Sequence, residues 1–257
     1  MRIIDRYAYN NTLRLIDPAY KVGLAMLVVL LCLVLNRPIS SLLALAWMVG
    51  LTVGLAKIPM GVFGRILLAE TTFLLLTTIG VVVSISIQQP ELVWQTNVGF
   101  LWFSASPDTL LQGVQLVTRA LGAASALNFL ALTTPLTDII TLLQRWNVPT
   151  YLIDLMTVMY RFIFILLDTL EQMVVAQESR LGYHAGYRRG MKNAGQVGAR
   201  LFINSFQRSR QLETALTARG YNGELHVLTP EYHPFPHYAL YLLGILLTLS
   251  AARLLVT

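Results

Sequence analysis

The sequence predicts an all-α, polytopic membrane protein with about five transmembrane helices and a cytoplasmic bundle of amphipathic helices. The first observation is the composition, because 55% of the 257 residues are apolar and only 12% are charged, whereas soluble domains carry roughly a quarter charged residues. The second is a series of apolar runs with at most one charged residue each, four before residue 133 and one after residue 237. The third is a charged region between them that has helical periodicity.

Residues 1–132 contain a basic leader and four predicted transmembrane helices. The predicted spans are residues 22–36, 38–56, 66–88 and 109–132. The last three have about the ~20 residues that cross a bilayer, and the first is short unless residues 15–20 add interfacial length. Since basic segments stay on the cytoplasmic side of a membrane, we predict a cytoplasmic N-terminus. The cations of the leader are Arg2, Arg6, Arg14 and Lys21.

The loop after the third predicted span has an external character. Residues 91–108 contain no lysine or arginine, and aromatic side chains in such a loop are typical of the lipid–water interface. These side chains are Trp94, Phe100, Trp102 and Phe103. The following span contains small side chains at residues 122–126, which favour close helix packing in lipid, either within this chain or against a partner.

Residues 133–237 form a charged region that we predict to be cytoplasmic. It carries ten Lys/Arg and eight Asp/Glu. Residues 151–174 have an apolar helical stripe, but Asp154, Arg161 and Asp168 recur every seven residues along another face and would be costly in lipid. A final uncharged run at residues 238–252 then gives five spans, or six if residues 151–174 also cross. We divide the chain at 1–132, 133–237 and 238–257, as one integrated unit.

One small pattern occurs twice within the charged region. The copies are Ser179-Arg180-Leu181-Gly182 and Ala218-Arg219-Gly220, each at the predicted end of a helix. An arginine in this place presents five donors that suit a carboxylate on another surface, and a glycine just after it permits a left-handed turn. The alternative is that both arginines only neutralise their own helix ends or contact lipid phosphates.

At these residues the sequence resembles a known family, the transmembrane T component (EcfT) of energy-coupling-factor (ECF) transporters, and most closely its cobalt-type member, CbiQ. In that family, two coupling helices each end in Ala-Arg-Gly, and the arginine pairs with an acidic residue of an ATPase subunit. Ala218-Arg219-Gly220 matches fully, whereas Ser179-Arg180-Leu181 has leucine in place of glycine, and Gly182 follows one place late. The likeness extends through Asp5-Arg6-Tyr7-Ala8, Asp17-Pro18-Ala19-Tyr20-Lys21 and Arg161-Phe162-Ile163.

The resemblance implies a subunit that couples but does not catalyse. Its expected partners are a dimer of CbiO-like ABC-type ATPases, a CbiM-like substrate-binding S component and a CbiN-like accessory membrane subunit, in a bacterial inner membrane. ATP and Mg²⁺ would bind to the ATPases, and Co²⁺ would be the transported ion, with nickel or a vitamin as alternatives. In agreement, the sequence has no G-x-x-x-x-G-K-[ST] phosphate loop. We predict no catalytic, cofactor-binding, metal-binding or nucleic-acid-binding residue.

Two other classes of function have candidate residues. His226, His233 and His237 fall within twelve residues, and imidazole suits cobalt, but in the favoured interpretation the S component captures the metal; His184 is interpreted as an interfacial or loop residue. A self-sufficient secondary transporter would need ionisable residues in its spans, for which Glu70 and Arg119 are the candidates.

Overall fold

The structure is a computed structural model that describes residues 2–35, 37–82, 84–86, 94–98, 101–105, 107–180, 186–223, 231–235 and 238–254. Most of these residues are helical. The helices are α1 (Arg2–Asn10), α2 (Pro18–Leu35), α3 (Pro38–Gly50), α4 (Met60–Val82), α5 (Pro107–Thr133), α6 (Leu136–Arg145), α7 (Thr150–Glu178), α8 (Tyr187–Ala218) and α9 (Tyr238–Leu254). A π-helical turn, Leu51–Leu55, continues α3.

Three short strands form a small antiparallel sheet between α4 and α5. They are β1 (Ser84–Ser86), β2 (Trp94–Val98) and β3 (Leu101–Ala105), in the order β1-β3-β2. Ile85 and Thr96 both pair with Phe103, from the two sides of β3. The predicted loop at residues 91–108 therefore contains two strands, while Phe100 lies outside the described residues.

The predicted bounds of the third span, residues 66–88, are wrong at both ends. Its helix, α4, starts earlier because the Pro59 carbonyl accepts the backbone N–H of Val62 at 2.9 Å and so begins the first turn. It ends at Val82. The sequence after it alternates serine and isoleucine at Ser84-Ile85-Ser86, which is a strand period and not a helical one.

Among the residues that the structure describes, five helices have the length and hydropathy of membrane spans: Pro18–Leu35, Pro38–Leu55, Met60–Thr78, Thr109–Thr133 and Thr150–Glu178. The first four correspond to the four predicted before residue 133, so the chain is an all-α polytopic membrane protein. The fifth helix is not the one predicted. We predicted a span at residues 238–252, but the apolar part of α9, Tyr238–Ala251, is too short for these criteria, whereas α7 meets them. Composition along a helix does not distinguish a span from an amphipathic helix whose charges lie on one seam.

The described chain divides into two compact units, one of Met1–Pro135 with Pro230–Thr257 and one of Leu136–Thr229. In the first unit α5 is the central helix and contacts α1, α2, α3 and α4. Its core includes fully buried Val28, Met48 and Phe129. Helix α9 packs on α3, where Trp47 Nε1 donates to Thr248 Oγ1 at 3.1 Å. The division at residues 132 and 237 places residues 133–237 in the cytoplasm, and this placement stays a prediction.

The basic leader, residues 1–21, is hydrogen-bonded to the C-terminal end of α5. Lys21 is buried, and its Nζ donates to the carbonyls of Leu13 and Thr133 at 3.1 and 3.2 Å. Asn11 Nδ2 donates to the Thr133 carbonyl at 3.3 Å. A cation is favourable beside the last carbonyls of a helix. Lys21 therefore has a structural role in addition to its part in the predicted cytoplasmic charge.

The small residues of α5 pack within the chain. Gly122 is so close to α3 that a Cβ built on it would lie 2.9 Å from the Ser41 carbonyl oxygen and 3.1 Å from Cys32 Sγ. Ser125 and Ala126 are fully buried as well. Of the two packing partners that the sequence left open for this cluster, these contacts identify helices of the same chain.

We therefore expect Gly122→Ala to lower the free energy of unfolding by about 1–3 kcal/mol, because backbone atoms must shift to accept the methyl group. The measurement is thermal unfolding of the purified protein in detergent. Gly64→Ala is the matched control, since no atom lies within 4 Å of its added Cβ and alanine favours a helix by up to ~1 kcal/mol. A Gly122→Ala variant as stable as Gly64→Ala would contradict this packing.

Candidate functional site

The second arginine pattern forms the C-terminal cap of α8. The helix ends at Ala218, Arg219 is the cap residue, and Gly220 has a φ of +73°. The N–H of Gly220 donates to Thr217 O at 3.1 Å, and the N–H of Tyr221 donates to Leu216 O at 3.0 Å. These two bonds define a Schellman motif, whose left-handed residue is usually glycine. The glycine of Ala218-Arg219-Gly220 is thus needed to stop the helix directly after the arginine.

The first pattern ends α7 in a different way. The helix ends at Glu178, and Ser179 keeps a right-handed conformation with φ −60°. Ser179 Oγ donates to Val175 O at 2.9 Å, and the N–H of Arg180 donates to Gln177 O at 3.2 Å. The serine hydroxyl thus satisfies a carbonyl of the last turn. Leu181 and Gly182 lie outside the described residues.

Both pattern arginines have solvent-accessible side chains. Arg180 and Arg219 are exposed, and neither guanidinium has a hydrogen bond or ion pair with any residue in the described ranges. Other arginines of α8 do have neighbours: Arg208 Nη2 lies 3.5 Å from Thr169 Oγ1, and Arg210 lies over the Phe206 ring at 4.8 Å from its centroid. The two pattern arginines thus present their donors to solvent or to a partner.

Helices α7 and α8 pack antiparallel. Tyr221 Oη donates to Asp154 Oδ2 at 2.9 Å at one end, and Arg208 approaches Thr169 further along. As the residue number rises in α8 it falls in α7, so Arg219 lies near the start of α7 and Arg180 follows its end. At 1.5 Å per residue, the two arginines are separated by on the order of 35 Å along the helix axes.

The sequence analysis did not assign Asp154 or Tyr221 to the candidate site. Asp154 is only 9% exposed, although its spacing with Arg161 and Asp168 predicts a solvated charged seam. Its carboxylate instead accepts the Tyr221 hydroxyl and so holds the residue that follows Arg219-Gly220. The one available signal was the tyrosine in the second pattern, which follows Gly220 directly.

Tyr221→Phe is expected to loosen the cap of α8 without unfolding the chain. A hydrogen bond to a charged group contributes about 1.5–3 kcal/mol, so we expect amide exchange at residues 219–223 to become at least roughly tenfold faster. Hydrogen–deuterium exchange of the purified protein measures this. Tyr187→Phe is the control, because Tyr187 is 83% exposed at the other end of α8. Equal exchange in both variants would show that the Tyr221–Asp154 bond does not hold the cap.

Glu70, one candidate for a transporter site, has a packing role. Asn128 Nδ2 donates to its two carboxylate oxygens at 2.9 and 3.0 Å and so links α4 to α5. Arg119 lines a cavity of about 400 Å³ together with Gln112 and Gln115. An ionisable residue paired with a neighbouring helix is a common arrangement in a membrane bundle.

The histidine candidates are placed only in part. His184, His226 and His237 lie outside the described residues. His233 is held through its backbone, since its N–H donates to Leu15 O at 2.8 Å and its carbonyl accepts the N–H of Asp17 at 3.1 Å. Within the described ranges, no three or more His, Cys, Asp or Glu side chains are grouped to hold a metal ion.

Comparison with known proteins agrees with this architecture. The family model CbiQ, described as a cobalt transport protein, matches residues 9–229. The chain is 40% identical over 149 residues to the cobalt transport protein CbiQ of Rhodobacter capsulatus, an alignment that covers 58% of the chain and 59% of that relative. It is 28% identical over 224 residues to CbiQ of Salmonella typhimurium, covering 87% of the chain and 99% of the relative.

A further similarity extends to proteins with a broader description. The chain is 28% identical over 227 residues to the energy-coupling factor transporter transmembrane protein EcfT of Acidaminococcus fermentans, with 84% of the chain and 82% of that protein aligned. The match to the CbiQ model covers most of the chain and includes both arginine patterns. The chain therefore belongs to the CbiQ family of cobalt transport proteins and is a T component of the energy-coupling-factor type.

Proposed function

We propose that the chain transmits ATP-driven motion from a dimer of ABC-type ATPases to a substrate-binding S component of a cobalt importer. The observation that carries this proposal is the pair of exposed arginines at opposite ends of the antiparallel α7–α8 pair. Each guanidinium is suited to a bidentate contact with a carboxylate. Two equivalent carboxylates, one on each ATPase subunit, would receive them.

The separation of the arginines supports a dimeric partner. Two tips on the order of 35 Å apart are too far from each other to enter one pocket, but they suit one contact on each of two similar subunits. When the subunits approach each other, a chain attached to both would be pushed or turned at both ends of the helix pair. A single rigid pair can therefore convert that approach into a movement of the membrane helices.

The remaining assignments follow from the same proposal. ATP and Mg²⁺ bind to CbiO-like partners, Co²⁺ is cargo captured by a CbiM-like S component, and a CbiN-like subunit assists. Leu136–Thr229 lies on the cytoplasmic side of a bacterial inner membrane, and so does the N-terminus. The basic character of this region, with eight Lys/Arg against Glu213 alone at residues 179–219, supports that placement. Helix α7 is then an amphipathic coupling helix.

Reconstitution tests the proposal. The chain is incorporated into liposomes alone, or together with ABC-type ATPase and S-component subunits that co-purify with it, and uptake of radioactive Co²⁺ is followed with and without ATP. We expect uptake only in the complete assembly and only with ATP. Ni²⁺ and vitamin arms of the same experiment identify the cargo. Uptake by the chain alone would refute the coupling function and establish a secondary transporter.

A further inference from the structure

A polar cavity lies between α1 and the turn that joins α3 to α4. Its volume is about 370 Å³, and it is large enough for a small headgroup. The cavity lies wholly within the unit of Met1–Pro135. It is lined by Arg6, Tyr7, Asn10, Asn11, Ala56, Lys57, Ile58 and Pro59.

The charge of this cavity is positive. Arg6 and Lys57 are both exposed to it, no acidic side chain lines it, and within the described ranges neither cation has a hydrogen bond or ion pair. Two cations placed beside one cavity without an acid repel each other unless an anion lies between them. The lining is therefore complementary to a phosphate group.

Asn11, which also lines the cavity, has a fixed side chain. Asn11 Nδ2 donates to the carbonyls of Tyr7, Ala8, Leu132 and Thr133 at 2.7–3.4 Å, which fixes the orientation of the amide. Its Oδ1 is then a buried oxygen without a hydrogen-bond partner in the described structure. Because this oxygen is fully buried, Asn11 forms part of the wall of the cavity, and the groups that face a ligand are the two cations.

Lys57 occupies an unusual backbone position. Its φ is +54°, in the left-handed region where glycine has no steric cost and a side chain costs roughly 1–2 kcal/mol. It directly follows Ala56, the cap of the π-helical turn, a place that favours glycine. A lysine at this position destabilises the fold slightly. Binding of a ligand by the charged side chain would offset this cost.

The cavity lies at the boundary of the membrane. Lys57 is located between the spans Pro38–Leu55 and Met60–Thr78, so the turn is where the chain leaves and re-enters the hydrocarbon. Helix α1 buries Ala8 against the rest of the unit. Arg6 and Tyr7 of α1 line the same cavity as Lys57, so α1 lies at the same depth as the turn. This is the depth at which lipid phosphates are found.

We propose that this cavity binds the headgroup of an anionic phospholipid, phosphatidylglycerol. The phosphate lies between the Arg6 guanidinium and the Lys57 ammonium group. The bound lipid links α1 to the α3–α4 turn. It is a site on the T component itself, separate from the arginine tips and from cargo transport.

Native mass spectrometry of the full-length, delipidated chain in detergent tests this assignment. The protein is titrated with phosphatidylglycerol or phosphatidylcholine, and the variants are Arg6→Gln/Lys57→Gln, Lys57→Gly and Arg65→Gln. Arg65→Gln is the matched control because Arg65 is an exposed cation near the start of α4 that does not line the cavity. Lys57→Gly removes one cation and also relieves the backbone strain, so it does not unfold the chain.

The expected result is a roughly 30-fold weaker binding of phosphatidylglycerol to the double variant, since each cation near an anionic headgroup contributes about a factor of five. Lys57→Gly should give an intermediate loss, and Arg65→Gln and phosphatidylcholine binding should change little. Equal losses in Arg65→Gln and the double variant would show diffuse charge attraction and overturn the site. Displacement of the lipid by millimolar inorganic phosphate would assign the cavity to a free anion instead.

Discussion

Arg219→Glu is expected to weaken strongly the co-purification of the ATPase subunits with this chain. The substitution sets two carboxylates against each other where the proposal has an arginine–carboxylate pair, and breaking a desolvated pair of charges costs on the order of 3–5 kcal/mol. Binding should therefore weaken at least 100-fold. The measurement is the amount of ATPase retained when the tagged chain is purified from co-expressing cells.

The fold should tolerate this change. Arg219 is exposed at the end of α8, and a negative charge near a helix C-terminus costs only about 0.3–1 kcal/mol. Arg200→Glu is the matched control because it reverses one exposed charge on the same helix away from either tip. If Arg219→Glu retains as much ATPase as Arg200→Glu does, the arginine of α8 is not the contact.

Arg180→Ala is expected to reduce ATP-driven uptake at least tenfold while the ATPases still co-purify. The two arginines lie at opposite ends of the α7–α8 pair, so the Arg219 contact remains when the Arg180 contact is lost. The assembly is then held at one end only, and the movement of one ATPase subunit is no longer transmitted. Uptake and pull-down on the same preparations separate coupling from assembly.

The comparison variant for Arg180 is Arg189→Ala, which removes an exposed cation from the first turn of α8. It should keep uptake near the level of the unmodified chain. Wild-type uptake in Arg180→Ala would mean that the serine-containing pattern has no coupling role. That outcome would leave Arg219 as the single contact and would require a different geometry for the ATPase dimer.

Several features of the fold could be predicted from the sequence because they depend on local composition. A helix in lipid must be apolar over about 20 residues and satisfies its backbone hydrogen bonds internally, so four spans before residue 133 could be recognised. The cap of α8 is local as well. Ala218-Arg219-Gly220 contains both the cation and the glycine that the left-handed turn needs.

Other features could not be predicted because their partners are distant in the chain. Lys21 reaches the Thr133 carbonyl 112 residues away, and Asp154 accepts the hydroxyl of Tyr221, 67 residues away. From spacing alone, Asp154 belongs to a solvated seam. The Gly122 contact with Ser41 is likewise a meeting of two helices, and a cluster of small residues does not identify its own partner.

Hydropathy and the two arginine patterns were sufficient to determine the class of protein, and the patterns predict the residues through which it would meet a partner. Only the tertiary structure decided that Arg180 and Arg219 are at opposite ends of one helix pair. The reason is that the direction and register of α7 against α8 depend on side-chain contacts between the two helices, such as Tyr221 with Asp154. Helical periodicity shows which face of each helix packs, but not which turn of one helix lies against which turn of the other.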